Sequence, residues 1–410
     1  MRMSKKKEIV PKFRFPEFQR DGIDFVHGNK LFKSITNKNH NSDLPILAIT
    51  QDQGAVPRDQ IEYNVTVTDK SLSNYKVVEV GDFIISLRSF QGGIEYSRFK
   101  GICSPAYIIL RKREENISEL YYKYFFKTWR YIQSLNRNLE GIRDGKMISY
   151  SQFSSVKVPY PRSFKEQQKI ADCLSSIDEL IDAENRKLKA LEKYKKGLMQ
   201  KLFPAEGKTL PEWRFPEFQG CGEWKFKSIG KACKMFSGGT PDTSKKEFYG
   251  GTIPFIRSAE INKSSTELFI TEEGFKNSSA KMVKKGDILI ALYGANSGEV
   301  ALSKIDGAIN QAILCLRHET NNVFVYHYFT HMKNWIISKY IQGGQGNLSG
   351  QIIKSVNLYF PKAEEQQKIA DFLSEIDTMI TGQSNKVEQL KAHKKGLMQG
   401  LFPSFEEVDV

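Results

Sequence analysis

Thirteen residues beginning at Glu166 read EQQKIADCLSSID, and the thirteen beginning at Glu365 read EQQKIADFLSEID. The likeness runs on without a gap through 166–204 and 365–403, where 23 of 39 positions are identical, ending in KKGLMQ-x-LFP. A second, shorter repeat precedes each copy: FRFPEFQ at 13–19 and WRFPEFQ at 213–219. One chain that writes the same series twice has to build two equivalent structural units, and this constrains its fold more than any overall property.

The long repeat has helical periodicity. Apolar residues recur in fours and threes at Ile170, Leu174, Ile177, Ile181, Leu188, Leu191 and Leu198, and again at Ile369, Leu373, Ile376, Ile380, Val387, Leu390 and Leu397. The pattern breaks at matching places, Glu184 and Lys195 in one copy, Gln383 and Lys394 in the other. This is a heptad seam, which predicts helices packed lengthwise on one another. Pro204 and Pro403 are the expected stops. About 35 residues at ~1.5 Å each make a rod of roughly 50 Å. The economical arrangement pairs the two rods with each other, antiparallel. A pair of amphipathic helices that merely cap two domains is the simpler alternative.

The predicted organisation is an N-terminal segment with the first RFPEF tag (1–19), a variable block (20–162), a central helix (163–204) and a linker with the second tag (205–219). A second variable block (220–362), a C-terminal helix (363–403) and an acidic tail (404–410) complete it. The fold class expected is α+β, with two β-rich domains alternating with two long helices in a pseudo-twofold internal repeat. The net charge is +14, yet the two repeat helices together carry only about +1, so the excess lies mostly in the variable blocks. Such an excess favours anionic partners. Five scattered cysteines without a C-x-x-C pair fit neither a disulfide framework nor a structural zinc. No run of about eighteen apolar residues occurs, so no membrane span is expected, and the scattered cysteines lead to the expectation of a reducing cytoplasm.

The two blocks share landmarks rather than sequence. GDFIISL (81–87) matches GDILIAL (286–292), and GICSPAYIILR (101–111) matches GAINQAILCLR (307–317), each a turn followed by a buried strand. Aromatic stretches follow, LYYKYFFKTWRYI (120–132) and VYHYFTHMKNWII (325–337), whose helical spacing reads as core packing. Each block closes on an extended, proline-bearing segment, KVPYP or NLYFP. The polar loops are the candidate nucleic-acid readers. In the first block they offer Thr50, Gln51, Arg88, Gln91, Arg143 and Lys146; in the second, Thr240, Lys245, Lys246, Arg257, Tyr293, Asn296, Gln345 and Asn347. Lys and Arg suit phosphate, amides and hydroxyls suit base edges, and Tyr suits stacking. Each of these residues taken singly also fits an ordinary solvated loop.

Catalytic and metal signatures are not found. AEGKT (205–209) lacks the glycine a phosphate-binding loop needs at Leu202, and GGQGNLSG (343–350) has Ser349 where a dinucleotide fingerprint needs glycine. His327 and His331 have zinc-protease spacing, but Tyr328 stands where glutamate is required. No N-P-P-Y or D-P-P-Y tetrapeptide of an amino-methyltransferase occurs. The expectation is a chain with no catalytic residue and no metal of its own.

The EQQKIAD…KKGLMQ-x-LFP pair, the RFPEF tags, SGGTP…EFYGGTIPFI, the paired GD-strand units and GICSPAY resemble the specificity subunit of type I restriction–modification systems, over essentially the whole chain. The resemblance implies that the blocks are target-recognition domains, each reading half of a bipartite target in double-stranded DNA, with the helices setting the spacer. It also implies two methyltransferase subunits that bring S-adenosylmethionine, two restriction subunits that use ATP and Mg, no cofactor in this chain, and a prokaryotic cytoplasm. The rival readings are a coiled-coil scaffold, and a stand-alone methyltransferase or nuclease with degenerate motifs.

Overall fold

The computed structural model describes residues 10–61, 72–137, 148–340 and 347–403. The chain divides into two units, residues 1–184 with 386–410, and residues 185–385. The dividing points fall inside the two repeat helices, Phe164–Leu202 and Ala363–Leu401, so each unit owns a stretch of both.

In the first unit the described strands are β1 (Ile23–His27), β2 (Phe32–Ile35), β3 (Leu47–Thr50), β4 (Gly54–Pro57), β5 (Lys76–Val78), β6 (Phe83–Ile85), β7 (Glu95–Tyr96), β8 (Gly101–Cys103), β9 (Ile108–Lys112) and β10 (Lys157–Pro161). The main sheet has the order β2-β9-β6-β7, with antiparallel pairing throughout. β3 and β4 form a hairpin. The proline-bearing β10 pairs only with β1, where the missing N–H costs no ladder bond on a second side. The core packs Phe32, Phe83 and Leu110 of this sheet against Tyr121, Tyr122, Phe125 and Phe126, and against Ile170 and Leu174 of the first long helix.

The second unit repeats the plan with β11 (Lys225–Ser228), β12 (Cys233–Ser237), β13 (Tyr249–Ile256), β14 (Phe269–Ile270), β15 (Lys281–Val283), β16 (Ile288–Ala291), β17 (Val300–Leu302), β18 (Gly307–Ile309), β19 (Ile313–His318) and β20 (Asn357–Phe360). Its sheet β12-β19-β16-β17 corresponds to β2-β9-β6-β7, and β11 pairs with β20 as β1 does with β10. A further sheet, β14-β13-β18-β15, contains one parallel pair, β13 with β18. The aromatic stretches differ. The second is one helix, Asn322–Tyr340. The first is two, Glu119–Phe125 and Trp129–Arg137, parted where the Thr128 hydroxyl donates to the Phe125 carbonyl at 2.8 Å. Core packing holds for most of its rings, but Trp129 is 68% exposed.

The GD pairs have a common purpose. Gly81 and Gly286 sit at φ +95° and +90°, a region that side chains disfavour. The aspartate that follows accepts a backbone bond across its turn, from Glu79 N to Asp82 (2.8 Å) and from Lys284 N to Asp287 (2.7 Å). It also binds an arginine bidentately, Arg111 on Asp82 and Arg317 on Asp287, which locks β6 to β9 and β16 to β19. No atom lies within 4 Å of where a Gly286 side chain would sit, so Gly286→Ala adds backbone strain alone. We expect a loss of about 1 kcal/mol, seen as a fall of ~2–4 °C in melting temperature for a unit of this size.

Within the first unit, Lys394 donates to Asp178 and Lys386 to Glu184, each at 2.5 Å. Residue numbers rise along one helix as they fall along the other, so the pairing is antiparallel. Within the second unit, Lys195 donates to Asp377 at 2.5 Å. Both lysines that interrupt the apolar pattern, Lys195 and Lys394, therefore reach carboxylates on the facing helix. Every seam residue named above is buried or half-buried.

The RFPEF tags explain their own duplication. Arg14 donates to both carboxylate oxygens of Glu166 (2.7 and 2.9 Å), at the start of the first long helix, while Phe13 N donates to Gly400 O (2.8 Å) at the end of the second. In the other unit Arg214 binds both oxygens of Glu365 (2.7 Å each), and Trp213 N donates to Lys201 O (2.9 Å). Lys169 lies over the Phe15 ring and pairs with Glu17; Lys368 lies over Phe215 and pairs with Glu217. The segment expected as a linker is thus a clasp that joins the first turn of one helix to the last turn of the other. Among the described residues no helix is long and apolar enough to cross a membrane.

Candidate nucleic-acid interface

In each unit the candidate loops gather at the end of the strand that follows the GD turn. In the first unit β6 runs into residues 86–93, where Ser89 Oγ accepts from Ser86 N (2.7 Å) and Gly93 N donates to Ser89 O (2.8 Å), folding a short turn that carries Arg88 and Gln91. Both side chains are exposed. The tip of the β3–β4 hairpin leans on this turn: Gln51 Nε2 donates to Arg88 O at 3.4 Å, and a Cβ on Gly92 would stand 2.7 Å from Gln51 Cδ. Gln51, Arg88 and Gln91 therefore come together, although Gln51 and Arg88 are far apart in sequence. Arg88 is exposed and makes no ion pair among the described residues.

Thr50 is placed differently. Its hydroxyl donates to Gly54 O (3.0 Å) and accepts from Gln53 N (3.1 Å), so it closes the hairpin turn rather than facing outward for a base edge.

Lys127 fastens this arrangement from beneath. Its ammonium donates to Gln51 O (2.9 Å), Gly92 O (3.1 Å) and Glu95 Oε1 (2.5 Å). Glu95 is 1% exposed. Burial pushes its carboxyl up to about 7, against the pull of Lys127. Asn136 adds a bond to Phe90 O (2.9 Å). In the second unit Lys333, on the helix Asn322–Tyr340, reaches Glu299 at 2.5 Å.

In the second unit β16 runs into residues 292–298, with Tyr293 42% exposed and Asn296 half-buried. Leu292 is gripped from both sides, its N–H donating to Ala312 O (2.8 Å) and its carbonyl accepting from Leu348 N (3.0 Å). Those bonds bring the loop of Tyr293 and Asn296 beside residues 310–312 and beside exposed Asn347. The SGGTP loop joins them through Thr240 Oγ1, which donates to Gln311 Oε1 at 2.6 Å. The glycines before it permit the approach: a Cβ on Gly238 would lie 1.7 Å from Ile309 O. Gln311 was not among the sequence candidates. Its signal was its place in GAINQAI, opposite Pro105 of GICSPAY, in a loop next to the GD strand.

Lys245 and Lys246 are exposed on this loop, Lys245 lying 5.0 Å from the Phe248 ring centre. Asp242 is occupied as a turn cap, accepting from Ser244 N (2.9 Å) and Ser244 Oγ (2.7 Å). Arg257 departs from the expectation of a phosphate contact. It binds Glu260 Oε2 (3.0 Å) and Oε1 (3.1 Å) and Glu267 Oε2 (2.8 Å). Arg257 holds the Glu260 carboxyl at about 2. Two carboxylates neutralise this guanidinium, and a phosphate would have to displace them. Arg143, Lys146 and Gln345 lie outside the described residues.

The comparisons with known proteins agree with a doubled plan. The family model described as "Type I restriction modification DNA specificity domain" matches twice, at 21–193 and 222–392. The MjaIX type I restriction enzyme specificity subunit of Methanocaldococcus jannaschii is 31% identical over 195 residues, 45% of this chain and 45% of that one. The MjaVIII specificity subunit of the same organism is 23% identical over 356 residues, 82% of this chain and 81% of that one. In fold, the crystal structure of the S subunit of the type I restriction–modification system from M. genitalium aligns with a TM-score of 0.60 at 16% identity, covering 97% of this chain and all of that one.

Proposed function

The chain belongs to the family of type I restriction–modification DNA specificity proteins, and from that premise we propose that it reads a bipartite sequence in double-stranded DNA, one half-site per unit. Gln51, Arg88 and Gln91, with Arg143 and Lys146, read for the first unit. Thr240, Gln311, Tyr293, Asn296, Gln345 and Asn347 read for the second, with Lys245 and Lys246 on phosphate. The helices set the unread spacer. They also offer two equivalent surfaces to two methyltransferase subunits, which supply S-adenosylmethionine and methylate adenine flipped from the stack. Two restriction subunits, using ATP and Mg, join that complex in the cytoplasm of a prokaryote.

One observation carries this reading: the clasps and turn locks of the framework are duplicated while the loops it presents are not. The Arg–Glu clasp and the GD–Arg lock occur in both units. Yet Arg88 and Gln91 stand where the other unit has Tyr293 and Asn296. Equivalent frameworks suit two identical partners, and unlike loops suit two different half-sites. The basic excess of the blocks supplies affinity that weakens with salt.

The test is to co-express the chain with its methyltransferase partner and map methylated adenines by sequencing. A two-part motif with an unread centre is expected. Replacing residues 20–162 with the block of a relative should change one half of that motif only. Methylation by this chain alone, or no sequence preference in the complex, overturns the reading.

A further inference from the structure

We propose that Lys127 is a positioning residue for base reading by the first unit, holding the β3–β4 hairpin and the 86–93 turn in one register. The proposal rests on the DNA-reading role above. An ammonium has three N–H donors, and here all three are spent inside the protein: on Gln51 O of the hairpin, on Gly92 O of the turn, and on the buried Glu95 carboxylate. The two loops also meet at the 3.4 Å bond from Gln51 Nε2 to Arg88 O and in the close approach at Gly92. Their relative placement decides where the Arg88 and Gln91 side chains stand beside Gln51. A groove contact is lost when its donor moves by about 1 Å, because hydrogen bonds weaken steeply with distance and angle.

Glu95 fixes the ammonium in turn. It lies on β7, within the main sheet, and is itself held by strand pairing with β6. Lys127 therefore links rigid sheet to two exposed loops. A lysine in a basic DNA-binding domain invites the different assignment of a phosphate contact, but this one has no free donor to offer a phosphate.

The experiment compares wild type with Lys127→Met in complex with the methyltransferase, and measures three quantities. These are the methylated motif, the salt dependence of duplex binding and the melting temperature. We expect the first half of the motif to relax, with sites mismatched there methylated about tenfold more, relative to the cognate site, than by wild type. The second half should stay intact and the salt slope unchanged. A uniform loss across sequences with a salt slope smaller by about 1 would make Lys127 a phosphate contact and overturn the proposal. So would a fall in melting temperature with both halves of the motif retained, which is a structural role alone. If Lys127→Met does not accumulate folded, Lys127→Gln, too short to reach all three acceptors, is read by the same criteria. Failure of the underlying DNA-reading role has a separate signature, since wild type would then show no two-part motif.

Discussion

Arg214→Ala is expected to destabilise the second unit by about 3–5 kcal/mol, the cost of leaving a buried carboxylate without its partner. Glu365 is 1% exposed on its side chain and Arg214 only 9%. Two parallel N–H···O bonds of 2.7 Å join them, and a third bond runs from Arg214 Nη1 to Gly222 O at 2.9 Å. The hydrogen bond to Glu365 also raises the Arg214 pKa above its ordinary value. With arginine truncated, Glu365 must stay ionised out of water, take up a proton, or pull the helix start open. Arg14→Ala should act alike on the first unit, since Glu166 is fully buried. The double variant Arg214→Met with Glu365→Gln should recover much of the loss, because it removes the stranded charge and keeps the volume. Urea unfolding measures both. A loss under ~1 kcal/mol for Arg214→Ala, the range of exposed ion pairs, would show that the clasp does not hold the helix ends.

The second large effect concerns the target. Inserting one seven-residue repeat into each long helix, after Leu188 and after Val387, should lengthen the unread spacer and leave both half-sites as they are. Seven residues preserve the apolar seam, because the pattern repeats with that period. They add ~10 Å of rod at ~1.5 Å per residue. At ~34 Å for each ten base pairs, this is at most about three base pairs. Mapping methylated adenines reads the outcome directly. An unchanged spacer with efficient methylation would mean that the helices do not set the distance.

Much of this architecture was legible because it depends on local pattern. The helix stops, at Leu202 and Leu401, follow from proline two residues on. The GD turns, the strands behind them and the proline-bearing edge strands are short-range features too, set by backbone sterics and by alternating burial. The candidate loops are legible only as sets. Gln311 falls in a stretch that reads as a turn before a buried strand, while Arg257, in the PFIRS segment after the SGGTP loop, reads as a phosphate contact. Glu260 stands only three residues on and Glu267 ten, but spacing alone does not say that both carboxylates turn back onto it.

What the sequence determined alone is the doubling itself, with the heptad seam and the helical rods, since periodicity is a property of one stretch of chain. What only the tertiary structure decided is where individual charges are spent. The tags read as an N-terminal segment and a linker until Arg14 meets Glu166, 152 residues away. Lys127 read as one more position in an aromatic helix until the fold set two loops and a buried carboxylate around its ammonium. A hydrogen bond reaches about 3 Å and depends on angle, so its partners are chosen by the final packing of remote segments, which no local spacing encodes.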